Sequence, residues 1–136
     1  MKAPQIVVVS IIIRENKLLL VRRAREPFKD LWSLVGGLSI MKEKNSSDPL
    51  QASKDEVLGD LQCEFINPKF YRYSFREGDE PTISLFFYGD ISGNPEVNPK
   101  YVSEYEWFSI EEIDKLELAF EHKELLQQFS KEVLSN

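Results

Sequence analysis

Glu56 and Asp60 stand four residues apart in the segment PLQASKDEVLGDLQC, so on a helix their carboxylates lie one turn above each other on the same side. Unpaired, two such carboxylates repel. A hard divalent cation between them turns the repulsion into attraction, and Mg²⁺ takes oxygen ligands from one or two carboxylates together with substrate phosphates. Upstream lie other residues with chemical potential. Gly36-Gly37 opens backbone angles closed to other residues and lets a phosphate or metal approach the main chain. Glu43 follows in a polar loop. Arg22, Arg23 and Arg25 cluster at the end of an apolar run, and guanidinium forks match phosphate oxygens. Strand alternation sends Arg22 and Arg23 to opposite faces, so at most one points into a site, and Arg23 is the choice. Taken alone, the acidic pair is also a solvated helix face and the arginines an exposed strand end.

The elements that must position these groups are legible by pattern. Asp48 can cap the acidic helix, and Pro49 suits its first position. Leu50, Val57, Leu58 and Leu61 recur at helical spacing and predict one buried face, with Asp55, Glu56 and Asp60 off it. Gln5 to Ile13 reads as a buried Val/Ile strand, and Lys17 to Arg23 returns after a polar turn. Trp32 belongs to a strand pattern and reads as core. Phe28 lies in a loop and is the better stacking candidate. Leu38 to Met41 suggests a brief strand and Lys42 to Ser47 a loop. Glu64 to Glu77 reads as an extended aromatic segment whose rings are mostly core, with Tyr71 or Tyr73 a lesser candidate for a nucleoside pocket. Gly78 to Pro81 is a turn, and Thr82 to Ile91 is the returning strand. Tyr101 to Phe108 leads to a short helix that Ser109 and Glu112 can cap reciprocally. A last helix, Glu121 to Val133, places Leu125, Phe129 and Val133 where they close the sheet.

The totals bound the class. A chain of 136 residues suits one domain, with 42% apolar and 29% charged residues, as in ordinary globular proteins. The net charge of −6 argues against nucleic acid as a partner, which needs a basic footprint. Cys63 is the single cysteine and His122 the single histidine, so neither an intrachain disulfide nor a Cys/His zinc site is available. The apolar N-terminal run is broken by Ser10, ends at Arg14 and lacks a cleavage site. It reads as a core strand rather than a signal peptide or membrane span, and the expected location is cytoplasmic.

The run from Gly37 to Cys63 resembles the motif of the Nudix hydrolases, G-x5-E-x7-R-E-U-x-E-E-x-G-U with U bulky and aliphatic. Gly37 and Glu43 match its opening, and Asp55 to Cys63 (DEVLGDLQC) lies on REUxEExGU if about four extra residues enter the loop, a cheap insertion in closure entropy. Glu56 then stands at the first motif glutamate and Asp60 at the last. Asp55 stands in place of arginine, Gly59 in place of the middle glutamate and Gln62 in place of glycine. The preceding REPFKDLWSLVGG resembles the segment before the motif in members that cleave ADP-ribose and related nucleoside diphosphate sugars, with Asp30 and Val35 replacing the usual glycine and proline.

The resemblance implies an α/β fold over residues 1–136: a single domain with a mixed, curved sheet between the motif helix and the C-terminal helix, an α/β/α sandwich. It implies a Mg²⁺- or Mn²⁺-dependent hydrolase of a nucleoside diphosphate linked to another moiety, such as an ADP-sugar. Glu56 and Asp60 would be metal ligands, with Glu43 in support and Glu104 as base. Arg23, Phe28, Gly36 and Gly37 would hold the small-molecule nucleotide. It admits a homodimer, since members often pair through sheet edges or the N-terminal strand. The altered motif positions favour a second reading, a catalytically weak module that binds a nucleotide or nucleotide sugar. A third, prenyl diphosphate isomerisation, needs a reactive Cys63, which is expected to be buried.

Overall fold

The computed structural model describes residues 3–36 and 48–134. Gly37 and Glu43, the expected strand Leu38 to Met41 and the loop Lys42 to Ser47 lie outside them. Among the described residues seven strands form one mixed sheet: β1 (Gln5–Arg14), β2 (Lys17–Arg23), β3 (Trp32–Ser33), β4 (Val35–Gly36), β5 (Phe65–Arg76), β6 (Thr82–Ile91) and β7 (Val102–Phe108). Among the described residues the helices are α1 (Pro49–Leu61), α2 (Ile110–Ile113) and α3 (His122–Phe129), the last running into a π-helical turn, Ser130–Leu134. No helix among the described residues is long and apolar enough to cross a membrane.

β1 is the shared spine. Its apolar run is buried on both faces, as a central strand demands. Val8 and Ile12 enter one core cluster with Ala52, Val57 and Leu61 of α1. Val7, Val9 and Ile11 enter the other with Leu126 and Phe129 of α3. The sheet therefore lies between α1 and α3. β1 pairs with β6 in parallel, and β6 with β5 antiparallel. A tight turn carries β1 into β2, with Glu15 (φ 52°) and Asn16 (φ 63°) both left-handed, the geometry that two-residue hairpins favour. β2 then leaves β1 to pair with β7 and β3. At Leu34 the chain crosses over: Ser33 pairs with Val21 of β2, while Val35 and Gly36 pair with β1. That crossing splits the sheet into two lips.

α1 starts as its sequence predicts. Asp48 accepts from the N–H groups of Leu50 (3.0 Å) and Gln51 (3.3 Å), with Pro49 at the first helical position. Asp48→Ala is expected to cost about 1 kcal/mol, read as a lower denaturation midpoint with unchanged slope. The buried face of α1 differs from expectation. Ala52, Ser53, Val57, Asp60 and Leu61 face the core, whereas Leu50 is exposed and Leu58 is 57% exposed. Small residues at 52 and 53 let the helix lie close to the sheet, so the stripe turns toward them and carries Asp60 inward. α2 has the expected reciprocal cap, Glu112 N–H to Ser109 Oγ at 3.2 Å and Ser109 N–H to Glu112 Oε1 at 2.9 Å.

The rings of β5 also differ from expectation. Phe65 is fully buried and Tyr71 packs inward on Tyr88 and Phe129, but Phe70, Tyr73 and Phe75 are exposed, because β5 is the edge strand. Asp30 stands at φ 73° and Gln62 at φ 56°, left-handed positions that glycine adopts at the least cost.

Candidate active site

The last turn of α1 is clamped by the loop before β7. Asn98 N–H donates to the Asp60 carbonyl (2.9 Å), Glu96 N–H to the Leu61 carbonyl (2.8 Å), and Asn98 Nδ2 to the Gly59 carbonyl (3.2 Å). These bonds satisfy carbonyls that a helix end leaves without intrahelical partners. They also hold Asp60 at 6% exposure against the end of β2. Burial, then the neighbouring Glu56 charge, pushes the Asp60 carboxyl up to about 7, while Arg25 and Arg23 pull it the other way.

Arg22 and Arg23 part as strand alternation requires. Arg22 Nε lies 3.1 Å from Glu104 Oε2, off hydrogen-bonding direction, with its guanidinium 4.8 Å above the Trp32 ring. Trp32 packs edge-on against Phe108, in keeping with a core role. Arg23 turns to the α1 side past a register shift in the β2–β7 ladder. Its Nε donates to the Pro27 carbonyl (2.6 Å), and its guanidinium lies 5.1 Å over Phe120. Burial and then Arg25 lower its pKa. Arg25 sits over Tyr101 at 4.5 Å.

These groups line one cavity of about 770 Å³ that straddles the crossing at Leu34. Arg23, Gly36, Glu56 and Asp60 all line it. Phe28 does not; it packs edge-on against Phe120, which does (4.8 Å). Glu104 is likewise absent from the lining. Cys63 is buried outside it, and burial raises its thiol pKa, which leaves the isomerase reading without its nucleophile.

His122 and Phe120 are site residues that sequence reasoning missed. His122 Nδ1 accepts the Leu34 N–H at 3.1 Å, so the neutral ring carries its proton on Nε2. Burial, reinforced by Arg23, pushes its pKa down to about 3. The imidazole thus pins the crossing segment from α3. The one available signal was that His122 is the chain's single histidine.

Among the described residues no group of three or more His, Cys, Asp or Glu side chains gathers to hold a metal. The Glu56–Asp60 pair still fits Mg²⁺, which keeps several waters and uses one or two carboxylates beside substrate phosphates. The mutual repulsion and desolvation of the pair, seen in the raised Asp60 pKa, are what such an ion would offset. Gly59 lies between them on the cavity wall, and a Cβ built there meets nothing within 4 Å. Gly59→Ala is expected to raise stability by about 0.5–1 kcal/mol, measured by chemical denaturation.

Helix carboxylates and strand-end arginines thus meet over a cavity in an α/β/α sandwich. The NUDIX domain family model matches residues 49–129, more than half of the chain, and the chain belongs to the Nudix family. It is 26% identical over 132 residues to the ADP-ribose pyrophosphatase of Methanocaldococcus jannaschii, covering 93% of this chain and 73% of that one. In fold it is similar to the NUDIX domain of Shewanella oneidensis NrtR, solved with ADP ribose (TM-score 0.83, 21% identity, 99% of this chain and 91% of that one). It is also similar to the MutT NUDIX hydrolase of Burkholderia pseudomallei (TM-score 0.80, 20% identity, 93% and 98%).

Proposed function

We propose that this chain hydrolyses the diphosphate of a nucleoside diphosphate linked to another moiety, with an ADP-sugar such as ADP-ribose as the substrate type. The observation that carries the reading is the convergence of Glu56 and Asp60 with Arg23 and Arg25 on one cavity. Its volume, about 770 Å³, suits a nucleotide conjugate. A Mg²⁺ or Mn²⁺ ion held by Glu56 and Asp60 would neutralise diphosphate charge and activate water for attack at phosphorus.

The remaining work belongs to the chain. Arg23 offers donors to a phosphate oxygen and is held in place by Pro27 and Phe120. The main chain at Gly36 lets the diphosphate come close. Phe120, backed by Phe28, supplies an aromatic wall for a base or ribose. His122 fixes the crossing at Leu34, and so the distance between the two lips. Glu104, engaged with Arg22, gains no support as the base.

The relation to an ADP-ribose pyrophosphatase supports this substrate class. The decisive assay is release of AMP from ADP-ribose in Mg²⁺, within a panel of other nucleotide sugars, dinucleotides and nucleoside triphosphates. Turnover that a chelator abolishes is the expected result. Gly59, standing where the Nudix motif has its middle glutamate, favours the alternative of a binding module. Ligand-induced thermal shifts without turnover, from folded protein in excess Mg²⁺, would establish that alternative.

A further inference from the structure

The cavity has a second cationic end that the hydrolytic reading does not use. Gly36, Val9, Phe86 and Arg72 are successive Cα partners along one rung across β4, β1, β6 and β5. With strands spaced about 4.8 Å apart, Arg72 stands about 14 Å from Gly36 along that rung. A register shift in β5 sets its side. Phe70 is opposite Phe87 and packs on it (5.6 Å), but Arg72 is opposite Phe86. Neighbouring residues of β6 face opposite ways, so the shift turns positions 72, 74 and 76 toward α3 and the cavity. Arg72, Ser74 and Arg76 all line it, with Ser84 paired to Ser74 across the ladder. Neither arginine has a carboxylate within ion-pairing distance among the described residues.

Such an arrangement suits an anion. Two guanidinium forks, their Cα atoms about 13 Å apart on one strand face, can close on a tetrahedral oxyanion above Ser74. The hydroxyls of Ser74 and Ser84 add donors beneath it. The diphosphate itself is assigned to the Gly36 end, so the second anion belongs to a different part of the ligand, about one nucleoside away.

We propose that Arg72, Ser74, Arg76 and Ser84 form a subsite for a phosphate monoester on the nucleoside, and that the preferred substrate is a nucleoside diphosphate conjugate carrying this further phosphate. The proposal rests on the hydrolytic reading above and narrows it.

The test compares ADP-ribose with its forms phosphorylated at the adenosine 2′ or 3′ hydroxyl. Both kcat/KM in Mg²⁺ and the calorimetric Kd are measured, on the native chain and on Arg72→Gln, Arg76→Gln and the double substitution. Glutamine keeps most of the side-chain stem, and the single substitutions guard against loss of fold. The native chain is expected to favour one phosphorylated form by about tenfold or more, and the double substitution to bring that ratio close to one. Equal values for all three ligands on the native chain, or a preference that the substitutions leave intact, would overturn the subsite while diphosphate hydrolysis stands. Failure to bind or cleave any of the three would overturn the hydrolytic reading and the subsite with it.

Discussion

Glu56→Gln is expected to lower turnover of the diphosphate by about 10³-fold at saturating Mg²⁺, with the fold retained. The substitution preserves shape and removes one charge. Glu56 is one cause of the raised Asp60 pKa, so its loss also relieves repulsion at Asp60. A metal ligand differs here from a structural carboxylate. Removing a structural partner would lower the denaturation midpoint and leave kcat of the folded fraction near the native value. Removing a ligand lowers kcat and raises the Mg²⁺ concentration needed for half-maximal rate. Initial rates across a Mg²⁺ titration, beside a denaturation curve, separate the two. Native-like turnover in the variant would take Glu56 out of the mechanism.

A second large effect is expected from acid. His122 is buried and neutral, its pKa about 3 against an ordinary 6.5. The unfolded chain therefore takes up a proton below pH 6.5 that the native chain refuses until about pH 3. This contribution to stability is complete above pH 6.5. It is lost as pH falls through that window, at up to about 1.4 kcal/mol per pH unit. Asp60 works the other way: its raised pKa, about 7 against 3.8, makes the native chain bind a proton more readily as pH falls below 7. The two offset one another in the native profile. The His122 effect is isolated by comparison with His122→Gln, whose amide oxygen can still accept the Leu34 N–H. The stability advantage of the native chain over His122→Gln is expected to be flat above pH 7 and to shrink by on the order of 4 kcal/mol between pH 6.5 and 3.5. A pH-independent difference, measured by urea denaturation across that range, would show that His122 does not titrate as a buried neutral ring.

What was legible in the sequence followed local chemistry. Asp48 before Pro49, Ser109 three residues before Glu112, and the Val/Ile-rich run of β1 each identified an element, because caps and buried strands depend on near neighbours. The opposite facing of Arg22 and Arg23 followed from alternation alone. What was not legible depended on distant partners. The stripe of α1 turned because Ala52 and Ser53 allow close packing on the sheet, a choice the leucine spacing did not contain. The exposed Tyr73 (62%) reflects the edge position of β5, which is a property of strand order. His122 became a site residue because α3 returns to the crossing at Leu34, 88 positions away in sequence. Arg72 and Arg76 reached the cavity through a register shift, where counting by twos fails.

That shift in β5 also gives the ligand pocket a cheap route to change. A connection between β5 and β6 shortened by one residue could be taken up by erasing the irregularity beside Tyr71. Phe70 would keep its place opposite Phe87, and everything before it would stay anchored. Beyond it, Tyr73 would move opposite Ser84 and Phe75 opposite Thr82, and both arginines would swing to the far side. The β5 part of the floor would change from cationic to aromatic in one step, with neither α1 nor the crossing at Leu34 disturbed. A shorter hairpin on this scaffold would in this way exchange a cationic floor for a stacking one through chain length rather than side chains.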